Sequence, residues 1–276
     1  MSRPAVLSPT PSIFAKVFSV GLQNTFVYRW NFLLRTIFGI VPLIGTLFLW
    51  RAIMEAGGGN IGGYEYRTMI FYFMVVVFVD NLISPTEDDW QVAADIRDGR
   101  LSALLLKPLN YLGYRFTLYA SYRITYVAII AVPIGGLLFF LRGFVVWPEH
   151  WMTWPLFFLS TAMAAGIQFL NAYILGLCAF WVLEVSTLVF IAFSFEYFLS
   201  GMVFPLDLLP PWLQGFVHWS PFTYQLFFPV QIIMERTSGQ ALWEGLAIQA
   251  GWLLLALIGA RLVWRAGLRK YQAVGG

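Results

Sequence analysis

The chain has 276 residues, of which 59% are hydrophobic and 11% are charged, whereas an average soluble domain is about 45–50% apolar and about 25% charged. A soluble core of this size could not remove so much apolar surface from water, so the composition excludes an ordinary soluble protein and indicates a bilayer protein. The net charge of +3 comes without a basic face, which argues against nucleic acid as a partner, and the single Cys178 excludes a disulfide framework and a cysteine metal cluster.

Residues 1–35 lack the compact apolar core and the small-residue cleavage site of a signal peptide. A helical repeat of mostly apolar residues, with polar residues largely between them, predicts instead an amphipathic helix along the cytoplasmic interface. The repeating positions are Phe14, Val17, Phe18, Leu22, Thr25, Phe26, Trp30 and Leu33. Such a helix is either a simple membrane anchor or an element that transmits motion from the cytoplasm to the first span, and both interpretations remain open.

A helix needs about 20 apolar residues to cross a bilayer. Six segments come close to that length, namely residues 36–53, 68–83, 122–141, 154–183, 186–204 and 242–264. Only Glu184 and Val185 separate the fourth segment from the fifth, and a tight turn is predicted there because one continuous helix would far exceed a single crossing. The sequence therefore predicts an all-α integral membrane protein with six transmembrane helices.

Lysine and arginine residues set the orientation of a membrane protein because they are retained on the cytoplasmic side. Most of them lie in residues 1–35, in the loop 84–121 and at the end of the chain. The opposite side carries Arg51, Arg67, Arg142 and Arg236. Both termini and the loop 84–121 are therefore predicted to be cytoplasmic, which agrees with an even number of spans.

The loop 84–121 is unusually rich in charge for this chain. Acidic residues come first, from Glu87 to Asp89, where they favour the start of a helix. Apolar and charged residues then alternate up to Gly99, which can end a helix, and a second apolar stretch stops at Lys107-Pro108. The pattern predicts two short helices separated by a break, which form either a solvated loop or a rigid charged surface for a soluble partner.

The segment 205–241 follows an interruption of the fifth span at Gly201 and Pro205. It is too short and too rich in proline to cross the membrane and return as full helices, yet its Leu, Trp and Phe residues favour the interface. These properties predict a shallow re-entrant segment on the outer side. It serves either as an outer gate, with Pro210 and Pro221 as further key positions, or as a structural cap over a seam between subunits.

Two stretches resemble the type-2 permeases of ATP-binding cassette (ABC) exporters. AADIRDGRLSALLLKPL, from Ala93 to Leu109, is similar to the cytoplasmic coupling helix of that family. SGMVFPLDLLPPWLQGFVHWSPFTY, from Ser200 to Tyr224, is similar to its broken fifth span and extracellular re-entrant helices. The final stretch LRKYQAVGG is similar to a bacterial subgroup with paired permease chains, so the resemblance implies the bacterial cytoplasmic membrane, with membrane lipids around the chain.

The resemblance implies two kinds of protein partner, namely ATPase subunits and a second permease chain, which is either a copy of this one or a related chain. The residues that would contact the ATPase are Asp95, Ile96, Arg97, Asp98, Gly99, Arg100 and Leu101. A P-loop needs a lysine followed by Ser or Thr, but Lys16, Lys107 and Lys270 are followed by Val, Pro and Tyr. The chain is therefore expected to hold no cofactor and no metal, with ATP and magnesium on the partner subunit.

Few polar residues lie inside the predicted spans, and each is a candidate for the substrate pathway or for a buried hydrogen bond. Gln168 and Asn171 share one face of the fourth span, and Glu196 lies near the middle of the fifth. In related permeases the second and fifth spans line the route between subunits, so the resemblance also places aromatic residues near the pathway. They are Phe71, Phe78, Phe193 and Tyr197.

Two other functions remain open from the residues alone. An integral-membrane enzyme acting on lipid needs clustered acid, base or metal ligands, and neither a His/Glu metal pair nor a Ser/His arrangement occurs at helical spacing. A channel or scaffold that uses no ATP has no need for a folded cytoplasmic element. The resemblance favours a permease, and the direction of transport, export, rests on the resemblance alone.

Overall fold

The computed structural model describes residues 11–27, 29–84 and 88–271, and nearly all of their secondary structure is helical. The first half contains α1 (Pro11–Val27), α2 (Arg29–Ala56), strands β1 (Asn60–Ile61) and β2 (Tyr64–Glu65), α3 (Tyr66–Ile83), α4 (Asp88–Arg97), α5 (Arg100–Leu105) and α6 (Tyr111–Phe140). The second half contains α7 (Thr153–Leu177), α8 (Ser186–Leu199), α9 (Pro211–His218), α10 (Pro221–Gln225), α11 (Phe227–Ile233) and α12 (Gly239–Lys270). Short 3₁₀ helices lie at Arg142–Phe144, Cys178–Phe180 and Leu206–Leu208. Glu87 and residues 272–276 of the tail stretch lie outside the described residues, as do residues 1–10 of the predicted N-terminal helix.

In the described part of the chain, four helices are long and apolar enough to cross a membrane: α3, α6, α12, and α7 with the 3₁₀ turn that follows it. They overlap the predicted second, third, fourth and sixth spans, and they confirm an all-α membrane protein. The predicted first span lies within α2, a 28-residue helix with Pro42 in its interior. α8 has 14 residues, and its length of about 21 Å is shorter than a hydrocarbon core of about 30 Å. The count of six crossings therefore stays a prediction.

The third long helix begins earlier than the sequence predicts. α6 starts at Tyr111, so residues 111–121 belong to this helix and not to the preceding loop. Asn110 caps its start, because the Asn110 side chain accepts a hydrogen bond from the amide of Gly113 at 3.1 Å. The sequence analysis assigns residues 111–121 to the loop because they include several polar side chains. In the structure they extend α6 toward the α4–α5 segment.

Two hydrogen bonds, each from an arginine in a helix to a carbonyl in a loop, define two ends of the helical bundle. At the first, here called the α4 end, Arg97 Nη1 donates to the carbonyl of Leu183 at 3.2 Å, which joins α4 to the α7–α8 turn. At the second, here called the hairpin end, Arg67 Nη2 donates to the carbonyl of Val145 at 2.9 Å. The β1–β2 hairpin and helices α9 to α11 also lie at the hairpin end, and the last residues of α12 lie at the α4 end.

The core at the hairpin end is built around α3. Every residue from Met69 to Val76 is buried, so this part of the helix is covered on all sides. Its neighbours are α2, α6, α7 and α11. Its composition explains this position, because a helix that is apolar all round is stable only when other helices surround it.

Small residues and one glutamine join α12 to the rest of the bundle. A Cβ added to Gly245 would lie 2.2 Å from Phe228, so α11 and α12 approach closely there. Gln249 of α12 is fully buried; its Nε2 donates to the carbonyls of Ser160 and Tyr224 at 2.9 and 2.8 Å, and its Oε1 accepts from the Ser160 hydroxyl. These bonds satisfy the buried amide and fix α7, α10 and α12 relative to one another.

α1 lies along the first turns of α6. Gly21 allows the contact, because a Cβ there would lie 2.0 Å from the Ser121 hydroxyl, and Phe14 packs beside Gly113. This places α1 at the α4 end, on the side where the sequence analysis puts the N-terminal helix. Its role as an anchor or as a transmitting element stays a prediction.

Candidate functional site

The α4–α5 hairpin, residues 88–106, is the charged element that the sequence analysis singles out. Gly99 forms its break with a φ of +73°, a left-handed conformation that favours glycine. α4 ends just before it, where the amide of Asp98 donates to the carbonyl of Ala94 at 2.9 Å. Pro108 follows α5 and cannot continue a helix. The structure thus contains two short helices and a break, as the pattern predicts.

One face of this hairpin is apolar and buried in the chain itself. Val92, Ile96 and Leu101 join a cluster with Leu177 and Phe180, next to the end of α7. Burying each aliphatic side chain contributes about 1.5–3 kcal/mol. Three such side chains hold the hairpin firmly against the bundle.

Asp95 supplies the polar part of the same attachment. Its Oδ2 accepts a hydrogen bond from the Tyr111 hydroxyl at 2.9 Å and lies 3.8 Å from Arg115 Nη1. Arg115 also donates to Gln91 at 3.1 Å, and Arg100 Nε lies 3.8 Å from Asp95 Oδ1. Because Asp95 and Arg115 are both buried, removing either one takes a charge partner away from a buried ionic group. Asp95 therefore fastens α4 to α6.

Residues on the opposite face of the hairpin form an exposed rim. Arg97, Asp98 and Arg100 lie on it, and Arg100 Nη2 lies 2.7 Å from Asp98 Oδ2. Leu105 and Leu106 extend the rim, and Leu106 is 88% exposed. The sequence analysis missed these two leucines, although the apolar run of α5 is longer than one buried face requires. Three of the residues predicted to contact the ATPase lie on the rim, namely Arg97, Asp98 and Arg100. Asp95, Ile96 and Leu101 face inward.

Two of the polar residues predicted within the spans meet in the structure. Gln168 Nε2 of α7 donates to Glu196 Oε1 of α8 at 2.7 Å. The second polar atom of Gln168, Oε1, is buried and has no hydrogen-bond partner within the described residues. Asn171 lies one turn further along α7 and is partly buried. The structure thus joins the fourth and fifth predicted spans through a polar contact.

The aromatic pathway candidates occupy different environments. Phe71 is buried in the core around α3, and Phe78 and Phe193 are partly buried. Tyr197 on α8 is 49% exposed. Phe71 therefore packs inside this chain, whereas Tyr197 faces outward.

α8 itself is poorly covered by the described chain. Val189 is its one buried residue. Phe190, Phe195 and Phe198 are each more than half exposed on its surface. α8 therefore presents an apolar face that the rest of the described chain leaves open.

Gly201 marks the interruption after α8. It has a φ of +85°, and its carbonyl accepts a 2.5 Å hydrogen bond from the buried Tyr72 hydroxyl of α3. A Cβ at this position would lie 2.7 Å from the same hydroxyl. The helix ends at Leu199, before the predicted end of the span at residue 204, because this left-handed turn redirects the chain toward the hairpin end.

Prolines begin the short helices of the outer segment. Pro205 precedes the 3₁₀ turn, Pro210 precedes α9, and Pro221 is the first residue of α10. Proline suits the first turn of a helix because its fixed φ is already helical and its missing amide hydrogen is not needed there. The structure therefore assigns these three residues a local role in starting helices, and the gate remains a prediction.

A polar cluster ties the β1–β2 hairpin to the outer segment. The buried Tyr64 hydroxyl donates to Asp207 at 3.0 Å and accepts from Gln231 at 3.0 Å. Arg236 lies 3.5 Å from Asp207 and stacks over the Tyr64 ring at 3.8 Å. Burial raises the pKa of the Tyr64 hydroxyl, and burial also raises the pKa of Asp207 despite its partners Tyr64 and Arg236. This cluster fixes α11 and the outer 3₁₀ turn to the hairpin.

Glu235 forms a second polar tie at the hairpin end. Its carboxylate accepts hydrogen bonds from the amides of Glu149 and His150 at 3.0 and 2.9 Å and from the Thr153 hydroxyl at 2.6 Å. Burial alone would raise the pKa of Glu235, but these donors lower it to about 2. The carboxylate thus holds the start of α7 against the end of α11.

Within the described residues, no group of three or more His, Cys, Asp or Glu side chains is placed to hold a metal ion. The family model described as ABC-2 family transporter protein matches residues 40–275, which include the α4–α5 hairpin, α8 and the outer segment. A comparison with curated proteins gives no significant match. The chain therefore belongs to the ABC-2 family of transporter membrane proteins, which confirms its resemblance to the type-2 ABC permeases.

Proposed function

We propose that this ABC-2 family protein is the permease subunit of an ABC exporter and that separate ATPase subunits, bound at the α4 end, drive it. Family membership supports a membrane component of a transporter over an enzyme. None of its lysines is followed by Ser or Thr, so we assign ATP and magnesium to the ATPase subunits.

The observation that carries this proposal is the division of the α4–α5 hairpin into a buried face and an exposed rim. Ile96 and Asp95 attach the hairpin to α7 and α6, while Arg97 and Arg100 are exposed on the rim. A displacement of the rim by a partner would therefore move two packed spans together. Arg97 also bonds to the carbonyl of Leu183, which extends the same connection to α8.

The open face of α8 supports a second permease chain, either a copy of this one or a related protein. α8 is too short to cross the bilayer alone, and the described chain leaves more than half of the surface of Phe190, Phe195 and Phe198 exposed. We infer that a second chain packs near this face, with the substrate pathway between the two chains. The sequence analysis selects Glu196 and Tyr197 as pathway candidates. Both would then lie beside that pathway.

The distribution of basic residues supports a cytoplasmic α4 end in a bacterial cytoplasmic membrane. Exposed Arg97, Arg100 and Lys107 lie on the hairpin, and Arg269 and Lys270 lie at the end of α12. Because basic residues are retained on the cytoplasmic side, we propose that both termini lie there as well.

The test compares two arginines in matched surroundings. Arg100 and Arg51 have 60% and 59% exposed side chains, and each pairs with a nearby acid, at 2.7 and 2.8 Å, but they lie at opposite ends of the bundle. The protein is isolated from native membranes in mild detergent, co-purifying P-loop ATPase is identified, and ATP hydrolysis is measured after reconstitution into vesicles.

We expect the Arg97→Ala/Arg100→Ala variant to weaken ATPase binding about ten-fold, equivalent to about 1.4 kcal/mol, and to reduce coupled hydrolysis. Arg51→Ala should behave like the wild type. Leu106→Asp should weaken binding as well, because it places a charge on the apolar part of the rim. Wild-type binding and hydrolysis in both rim variants, or uphill transport by vesicles that contain this chain alone, would refute the proposal.

A further inference from the structure

Two adjoining cavities form one groove on the surface between α6, α7 and α12. The larger cavity, of about 710 Å³, follows the spans, and the smaller one, of about 260 Å³, lies at the α4 end. Asn110 and Leu112 line both cavities, so the two cavities are neighbours. The groove meets the rim at Leu105, which lines the smaller cavity, and no residue of α8 lines either cavity.

The part of the groove along the spans is mostly apolar, and its one arginine, Arg123, donates a hydrogen bond to the carbonyl of Asn81. Phe116 and Ile124 of α6 form an exposed wall, and Leu253 of α12, which packs against Gly166 of α7, forms the opposite one. The exposed Ala162 of α7 also lines the groove. From residue 112 to residue 124 the helix rises about 18 Å, close to the thickness of about 15 Å of one leaflet of the hydrocarbon core. A lipid acyl chain fills such a space because empty apolar volume forfeits dispersion contacts and water gains little there.

The end of the groove near α4 combines leucine side chains with polar and aromatic ones. Arg261 and Trp264 of α12 and Asn110, Tyr111 and Tyr114 near the start of α6 line it. The rings of Tyr111 and Trp264 are stacked, with centroids 5.0 Å apart. Tyrosine and tryptophan favour the depth of the lipid headgroups, and an exposed arginine at that depth attracts a phosphate.

We propose that this groove binds one anionic glycerophospholipid from the leaflet at the α4 end. Its phosphate lies at Arg261, and one acyl chain extends past Phe116 toward Ile124. The pairing of a positive end with an apolar length of one leaflet matches a phospholipid and no water-soluble ligand. The proposal requires a bilayer location and does not depend on the ATPase or on export.

Native mass spectrometry of the full chain in detergent tests the proposal, with phosphatidylglycerol and phosphatidylcholine of identical acyl chains as probes. We expect one phosphatidylglycerol per chain to survive activation that removes phosphatidylcholine. Arg261→Gln should weaken phosphatidylglycerol binding about five-fold, the effect of one basic residue near a lipid headgroup. Arg265→Gln is the matched control, because Arg265 is also exposed on α12 but does not line the groove.

A second pair of variants tests the apolar part. Ala162→Trp fills the groove and should abolish retention of the lipid, whereas Ala266→Trp, at an exposed position of α12 outside the groove, should not. If Ala162→Trp does not fold, Ala120→Phe on the α6 wall replaces it.

Three results would overturn the proposal. Equal retention of the two lipids would remove the role of charge, and equal losses in the Arg261 and Arg265 variants would indicate general attraction to the surface. A change in oligomeric state with unchanged lipid binding in Ala162→Trp would assign the groove to a contact between chains.

Discussion

Gln168 Nε2 on α7 donates a hydrogen bond to Glu196 Oε1 on α8 at 2.7 Å. The sequence predicts only a tight turn between the two spans that contain these residues. The Oε1 atom of Gln168 is buried and has no partner in the described part of the chain. A buried acceptor without a donor calls for an explanation, such as a bound water or ligand group. The pair thus joins α7 to α8 and also leaves one acceptor available to a donor.

Replacing one member of this pair should destabilise the protein. Glu196→Leu leaves both polar atoms of Gln168 without a partner, and an unsatisfied buried group costs about 1–3 kcal/mol. We therefore expect a lower thermal unfolding temperature in detergent. The double variant Gln168→Leu/Glu196→Leu should recover most of the loss, because neither polar group remains.

Transport by reconstituted vesicles then separates a structural role from a pathway role. If the pair lies on the pathway, the double variant recovers stability while transport stays low. A double variant that regains both stability and transport would restrict the pair to a structural role.

Asp95 and Asp98 are close in sequence, but their replacement should have different effects. Asp95→Ala leaves the buried Arg115 without its carboxylate partner, and breaking a buried pair costs about 3–5 kcal/mol. Asp98→Ala removes an exposed pair with Arg100, which contributes about 0–1 kcal/mol. Thermal unfolding in detergent should show a large decrease for the first variant and little change for the second. Equal decreases would contradict the buried attachment described for Asp95.

The general architecture follows from the sequence because it depends on local properties. Apolar length predicts most of the long helices, and the break at Gly99 and the stop at Pro108 follow from the backbone preferences of these residues. The start of α6 is missed because its first turns contain Arg115 and several tyrosines and are therefore not apolar enough to be recognised as part of a span. Tyr111 and Arg115 form hydrogen bonds to α4.

The division of the hairpin into a buried face and a rim could not be predicted in the same way. Asp95 and Asp98 are both acidic and three residues apart, and only the position of Tyr111 and Arg115 decides which one is buried. The Gln168–Glu196 bond depends likewise on how α8 lies against α7. Such contacts join distant parts of the chain, and helical spacing alone carries no information about them.

Gly201 should be intolerant of a side chain. Gly201→Ala forces a left-handed conformation that costs about 1–2 kcal/mol, and the new Cβ would lie 2.7 Å from the Tyr72 hydroxyl. We expect reduced thermal stability and a disturbed junction between α8 and the outer segment. Gly215→Ala is the control, because Gly215 lies within α9, has open space around its Cα and should gain up to about 1 kcal/mol of helix propensity. Equal changes in thermal stability for the two variants would contradict the requirement for glycine at position 201.

Glu235 should make stability depend on pH in the acidic range. Its folded-state pKa of about 2 lies below the ordinary value of 4.5, because donors from Glu149, His150 and Thr153 outweigh the effect of burial. A lowered pKa stabilises the folded state fully above the ordinary value, and this contribution is lost as the pH falls from about 4.5 toward 2. The wild type should therefore be more stable than Glu235→Gln by a constant margin above about pH 5, and the margin should shrink at lower pH.

Thermal unfolding of the wild type and Glu235→Gln between pH 6 and pH 3 measures this margin. Glu149→Gln is the control, because Glu149 contributes its backbone amide to the carboxylate and that amide survives the substitution. The control should follow the wild type at every pH. A margin that stays constant down to pH 3 would show that the carboxylate does not hold α7 against α11 in the way its hydrogen bonds indicate.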